Sequence, residues 1–229
     1  MNIDSILNIA LSLIAIFSAI VLHEVAHGYM ALRLGDPTAR SLGRLTLNPL
    51  AHIDPIGTIL VPVVLAVIGA PLFGWAKPVP INPRNFRNPF KGMLFVALAG
   101  PGTNVVLALG AAVVGHLLLL LVPDTLNLAT PTFATNVLVA LFSLLGYVVL
   151  YNLFLAALNM IPIPPLDGSR VLTYFLPTEG RRIMLSLERY GFFIFAGLLY
   201  LGVFDGAFSA LQGLWAHLLG NHWLFLMFA

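Results

Sequence analysis

Five long runs of apolar residues dominate the hydrophobic pattern of the chain. Each reaches the roughly 20 residues that a helix needs to cross about 30 Å of hydrocarbon. The runs cover residues 5–32, 93–122, 133–161, 183–204 and 206–228. This pattern predicts an all-α membrane protein, a polytopic helical bundle of about five to six transmembrane segments.

The region between the first two long runs has a different pattern. Residues 56–73 are apolar, but prolines interrupt them and basic loops flank them on both sides. Irregular backbone is tolerated at membrane depth only where protein or water covers it, so we interpret 56–73 as a re-entrant element. A full crossing, which would place residues 77–91 outside, is the alternative. Residues 41–54 alternate apolar and polar positions between Pro37 and Pro49, which is typical of a short β-strand.

Composition agrees with a membrane protein that forms a single domain over residues 1–229. Of the residues, 59% are hydrophobic and 9% are charged, against about 25% charged in soluble domains. The basic residues are dispersed and form no patch for nucleic acid. Because the chain has no cysteine, any transition metal must be bound by His, Asp or Glu.

The positive charges predict how the chain is oriented. All eleven Lys and Arg residues fall within residues 33–91 and 170–189. The positive-inside rule makes both windows cytoplasmic and places the N-terminus and the turn at Asp205 outside. Because residues 1–17 lack a basic n-region and a cleavage site, we expect them to remain as part of the first transmembrane helix.

The sequence His23-Glu24-Val25-Ala26-His27 forms an H-E-x-x-H pattern in the first apolar run. On a helix, residues four apart share one face, so both imidazoles can bind one zinc ion while Glu24 stays free for proton transfer. Charged groups inside a membrane helix cost about 2.5–3.5 kcal/mol each, so the cluster needs a partner or a function. Hydrogen bonding between helices is the alternative interpretation.

A catalytic zinc site usually has three protein ligands and an open position for water, so a third ligand must come from elsewhere. Asp167, in the segment NMIPIPPLDG at the inward end of 133–161, is the candidate. The prolines end the helix and Gly168 permits a tight turn, which presents Asp167 on irregular backbone. An ordinary Asp-Gly turn is the alternative. Because Asp167 and the H-E-x-x-H motif are expected on the same side of the membrane, we favour Asp167 as a metal ligand.

The pair HEVAH and NMIPIPPLDG closely resembles the site-2 protease family of intramembrane zinc metalloproteases, peptidase family M50. The motifs of that family are H-E-x-x-H in one core helix and N-x-x-P-x-P-x-x-D-G at the end of another. LAGPGTN, residues 98–104, is similar to the small-residue motif of the intervening helix. The resemblance covers about residues 15–172 and indicates a short form without a PDZ or CBS domain.

The resemblance implies one catalytic zinc ion bound by His23, His27 and Asp167, with Glu24 catalytic and Asn159 supporting. Glu24 would take a proton from the attacking water and deliver it to the leaving amine of a peptide bond. A transmembrane substrate must first unwind, because a helix hides its carbonyls in hydrogen bonds, and the predicted strand edge offers a place to hold it. The implied role is regulated intramembrane proteolysis of membrane-anchored proteins.

Three further residues are candidates for substrate binding. Asn104 and Asn159 either bind the extended substrate backbone or the oxyanion, or cap helix ends. His52 lies in an apolar, proline-bounded segment and either contacts the substrate or makes a structural polar contact.

A metal-binding membrane transporter or channel is the main alternative function. Segments 93–122 and 133–158 offer few polar residues for a conduit, which favours the protease. Serine and aspartyl intramembrane proteases fit poorly, since no Gly-x-Ser-Gly occurs and RLGD lacks the first glycine of G-x-G-D. Without organelle-targeting features, we expect a multi-pass protein of a prokaryotic inner membrane, with the active site toward the cytoplasm.

Overall fold

The computed structural model describes residues 3–67, 75–122 and 132–227, and most of these residues are helical. The α-helices in this part of the chain are α1 (Ile3–Arg33), α2 (Thr38–Ser41), α3 (Val61–Val67), α4 (Pro89–Leu119), α5 (Phe133–Asn159), α6 (Asp167–Phe175), α7 (Thr178–Leu187), α8 (Gly191–Tyr200) and α9 (Asp205–Met227). Short 3-10 or π-helical segments occur at Pro49–His52, Pro55–Leu60, Pro83–Asn85 and Glu188–Tyr190. Helix α1 carries HEVAH, α4 carries LAGPGTN, and NMIPIPPLDG runs from the last residue of α5 to the start of α6.

Four helical stretches of the described residues are long and apolar enough to cross a membrane. They are Ser5–Arg33, Pro89–Leu119, Phe133–Asn159 and Thr178–Tyr200. The predicted number of five to six segments is therefore not supported. Helix α9 is not among these four stretches. It contains the polar residues Gln212, His217, Asn221 and His222, which lower its hydropathy, and its helical backbone is interrupted at Gly220, with φ 74° and ψ 163°.

The β-strand predicted for residues 41–54 does not form, and the described residues contain no strand. Asn48 accepts a hydrogen bond from the Leu50 amide and caps a 3-10 turn. Asp54 accepts from two amides of the π-helical segment that follows it. Within 41–54, the Asn48 side chain thus takes up the Leu50 amide, and Asp54 starts the next helical segment. Residues 56–67 are helical, while 68–73 lie outside the described residues, so the re-entrant course is not supported.

Helix α1 ends in a glycine turn. The Gly35 amide donates to Leu32 O and the Asp36 amide to Ala31 O, both closing the last helical turn. Gly35 has φ 102°, a left-handed conformation that side chains disfavour. The turn directs the chain away from α1 and carries Asp36 into a buried position.

The chain folds as two compact units. One comprises residues 1–19, 104–156 and 205–229, and the other comprises residues 20–103 and 157–204. In the first unit, Trp223 is fully buried and its indole Nε1 donates to Phe142 O at 2.9 Å. Gly115 makes room for this indole, since a Cβ there would lie 1.9 Å from the ring. The second unit contains the motif residues His23, His27 and Asp167.

Candidate metal centre

Helix α1 places His23 and His27 one turn apart, and both are buried, at 6% and 7% exposure. His27 Nδ1 lies 2.7 Å from Val96 O. A carbonyl can only accept, so Nδ1 carries the proton and the lone pair of the neutral ring is on Nε2. That Nε2 atom lies 2.9 Å from His23 Nε2. The two histidines therefore direct ring nitrogens at one point.

Asp167 completes the group as the first residue of α6. Three prolines separate α5 from α6, which prevents one continuous helix. Gly168 follows because a Cβ at that position would lie 2.3 Å from Met160 O, a backbone atom that cannot swing aside. The Asp167 Oδ2 atom lies 3.2 Å from Nε2 of His23 and 3.2 Å from Nε2 of His27.

The donor set fits a zinc ion. Zn–N and Zn–O bonds of about 2.0–2.2 Å in a tetrahedral site put ligand atoms about 3.3–3.6 Å apart. The three donor atoms here are separated by 2.9 to 3.2 Å. Asp167 Oδ2 is buried and finds no well-directed hydrogen-bond donor in the described part of the chain. A buried, unsatisfied carboxylate oxygen beside two imidazole nitrogens is the chemistry that a divalent cation satisfies.

Glu24 lies between the two histidines in sequence and is half-buried. Its Oε2 atom accepts a hydrogen bond from the Val79 amide at 2.8 Å. Val79 belongs to the segment 75–82, which approaches α1 without regular secondary structure. One oxygen of the carboxylate is thus fixed by backbone.

Helix α4 contributes the space that the imidazoles occupy. A Cβ on Gly100 would lie 2.5 Å from His27 Nε2 and 2.6 Å from His23 Cε1. The first glycine of the LAGPGTN motif, Gly100, is therefore explained by the room that the two histidine rings need. From the sequence, only the family resemblance indicated this motif, and no pattern indicated the backbone groups of Val79 and Val96.

The three candidates for substrate binding, Asn104, His52 and Asn159, lie in different surroundings. Asn104 is fully buried, and its Nδ2 donates to Asn152 Oδ1 at 2.7 Å and to Ala19 O at 3.3 Å. His52 is 3% exposed, and its Nε2 donates to Thr46 O at 2.9 Å. Asn159 is the last residue of α5. The structure brings together His23, His27 and Asp167, and it gives Asn104 and His52 internal partners.

These features define a class: a multi-pass membrane protein with the donor set and adjacent glutamate of a zinc metalloprotease. The chain belongs to peptidase family M50, whose family model matches residues 11–202. Membership confirms the resemblance read from HEVAH and NMIPIPPLDG. It also implies a Zn²⁺ cofactor, and the group of His23, His27 and Asp167 could hold such an ion.

Three relatives, two from bacteria and one from an archaeon, align with most of the chain. "Putative zinc metalloprotease YwhC" of Bacillus subtilis is 40% identical over 182 residues, covering 80% of this chain and 76% of that protein. "Putative zinc metalloprotease Rip2" of Mycolicibacterium smegmatis is 32% identical, covering 79% and 63%. "Putative zinc metalloprotease MJ0611" of Methanocaldococcus jannaschii is 33% identical, covering 74% and 73%. The chain thus spans less than two thirds of the Rip2 protein. No solved structure matches it.

Proposed function

We propose that the chain is a single intramembrane metalloprotease domain over residues 1–229. It hydrolyses peptide bonds in or near the transmembrane segments of membrane-anchored proteins, in regulated intramembrane proteolysis. The convergence of two imidazole nitrogens and one carboxylate oxygen within 3.2 Å, beside Glu24, is the observation that supports this function. A zinc-binding transporter is less well supported, because a transport site does not need a free glutamate beside its ligands.

His23, His27 and Asp167 bind the zinc ion in this proposal, and Glu24 is the catalytic base. When bound, zinc supplies a Lewis acid that makes water a nucleophile at neutral pH and polarises the scissile carbonyl. Glu24 accepts the proton of the attacking water and returns it to the leaving amine as the peptide bond breaks. The half-buried position of its carboxylate suits a group that must reach both water and substrate.

The substrate reaches this chemistry as an unwound segment, because helical carbonyls are occupied by i to i−4 hydrogen bonds. Asn159, at the end of α5 and eight positions before Asp167, is our choice for a group that binds the extended backbone or the oxyanion. For Asn104 and His52, the internal hydrogen bonds support the structural role that the sequence left open.

We place the protein in a prokaryotic inner membrane with the centre toward the cytoplasm. The basic windows 33–91 and 170–189 support that orientation, and they adjoin His27 and Asp167 on the chain. Its partners are the lipid bilayer and membrane-anchored protein substrates, and nucleic acid is not among them.

The test is zinc content and cleavage of a panel of single-span substrates by detergent-purified variants. Glu24→Gln should keep its zinc and lose at least about 10²-fold in kcat, because proton transfer is removed. Asp167→Ala should lose zinc, because one of three ligands is gone. Asp205→Ala, an exposed carboxylate at the start of α9, is the control for loss of charge. Normal cleavage by Glu24→Gln would refute the mechanism and, with zinc retained, would favour transport.

A further inference from the structure

The segment that contacts Glu24 has an unusual pattern of backbone donors. Val79 stands between Pro78 and Pro80, which have no amide hydrogen. Within these three residues, Val79 alone has an N–H group, and it donates to Glu24 Oε2 at 2.8 Å. The prolines also restrict the backbone to extended conformations. The sequence PVP therefore presents a single, preoriented donor to the carboxylate.

Close packing fixes Val79 against α1. Its side chain is 5% exposed, and its Cγ1 atom lies 2.8 Å from the position that a Cβ on Gly28 would occupy. Gly28 lies one turn beyond Glu24, on the same face of the helix. The absence of a side chain at 28 thus lets Val79 approach closely enough for its amide to reach Glu24.

Asp36 holds the other end of the same segment. This carboxylate is fully buried, and its Oδ2 accepts from the Asn82 amide at 2.7 Å. Its Oδ1 accepts from Asn85 Nδ2 at 2.7 Å and from the Thr38 amide at 3.1 Å. Burial raises the pKa of Asp36, but hydrogen bonds from Thr38, Asn82 and Asn85 outweigh it and hold the pKa below its usual value. Asp36 is thus an ionised anchor for Asn82, which lies three residues beyond Val79.

We propose that the Val79 amide positions the catalytic glutamate, and that Asp36 is a positioning residue that holds the Val79 segment in place. This inference rests on the proposed protease function. With Oε2 fixed by backbone, Oε1 is the oxygen that exchanges protons with water and the leaving amine. Oε2 can accept the Val79 hydrogen bond in both protonation states, because the transferred proton resides on Oε1. The contact therefore persists through the reaction, and misplacement by about 1 Å would cost up to about 10²-fold in rate.

Val79→Pro and Val79→Ala isolate the amide, because both remove the valine side chain and only the proline variant removes the N–H. We expect kcat of Val79→Pro to be at least about tenfold below that of Val79→Ala, with similar KM and one zinc per chain in both. Equal kcat values, or a higher kcat for Val79→Pro, would overturn the proposal. A kcat-specific loss with zinc retained is not what general unfolding would produce.

Asp36→Asn provides a second test that leaves Val79 unchanged. One asparagine oxygen can still accept from Thr38 and Asn85, but its NH₂ group cannot accept from the Asn82 amide. Asn85→Ala removes a different donor to Asp36 and keeps the Asn82 contact. We expect kcat of Asp36→Asn to fall several-fold below that of Asn85→Ala, with KM and zinc content matched. Equal kcat values would overturn the role of Asp36.

Glu24→Gln, measured in the same assay, distinguishes a failure of the proposed protease function from a failure of the positioning role alone. If wild type does not cleave, or Glu24→Gln cleaves equally well, the proposed protease function is wrong. If wild type cleaves, Glu24→Gln does not, and the Val79 variants have equal kcat, the positioning role alone is wrong.

Discussion

The two imidazoles pack closely against Gly100, so that a single methyl group added there should displace them. A Cβ there would lie 2.5 Å from His27 Nε2, so a histidine ring must move. We predict that Gly100→Ala lowers zinc affinity about 10- to 100-fold, measured by metal titration against a chelator. The control is Gly102→Ala in the same helix, where a Cβ meets nothing within 4 Å. Equal zinc affinities in the two variants would contradict this account.

The residues that could be predicted from sequence are those whose side chains meet in the candidate metal centre. Helical spacing indicated His23 and His27, and the proline-rich approach to an Asp-Gly pair indicated Asp167. The backbone groups at Val79 and Val96 could not be predicted, because every residue except proline has an amide hydrogen and all have a carbonyl oxygen. Which of them reaches a side chain is decided by tertiary packing.

At the scale of elements, a polar pair joins two apolar helices. Asn104 of α4 donates to Asn152 of α5, and both are buried. In an apolar environment such a contact contributes about 0.6–2 kcal/mol, since neither amide finds water when the pair is broken. The pair therefore specifies how α4 and α5 meet within their unit, where apolar side chains alone would leave the register free.

We predict that Asn104→Leu and Asn152→Leu each lower the free energy of unfolding in detergent by about 1–2 kcal/mol. The double variant should lose little more than either single variant, because both remove the same contact. The kcat per zinc-loaded enzyme should stay near that of wild type. A loss of about 10²–10³ in kcat for Asn104→Leu would instead show that this residue stabilises the oxyanion.

The predicted elements agreed best with the structure where apolar runs were long. The run 133–161 became α5 at Phe133–Asn159, and 5–32 became α1 at Ile3–Arg33. The strand at 41–54 failed because alternation describes a strand only if a neighbouring strand pairs with it. The prediction that 206–228 crosses the membrane is not supported. It rested on the length of this apolar run and did not take account of its polar residues or of the break at Gly220.

At the scale of the whole molecule, the distribution of charge and the lack of cysteine make orientation measurable. All Lys and Arg residues lie within 33–91 and 170–189, so the positive-inside rule predicts that both windows face the cytoplasm. Ser41 is exposed within the first window, and Gly206 is exposed in a position where a Cβ meets nothing within 4 Å. Each accepts a cysteine in a chain that has none of its own.

We predict that a membrane-impermeant maleimide labels Gly206→Cys but not Ser41→Cys in intact cells, and that inside-out vesicles reverse the result. Labelling both variants in detergent is the control for reactivity. The reason is that the positive-inside rule predicts an inward end for α1, just before Ser41, and an outward end for the Thr178–Tyr200 stretch, just before Gly206. Labelling of Ser41→Cys from outside intact cells would contradict a cytoplasmic centre, because Ser41 lies only 14 residues beyond His27. The substrate would then have to be cut toward the exterior.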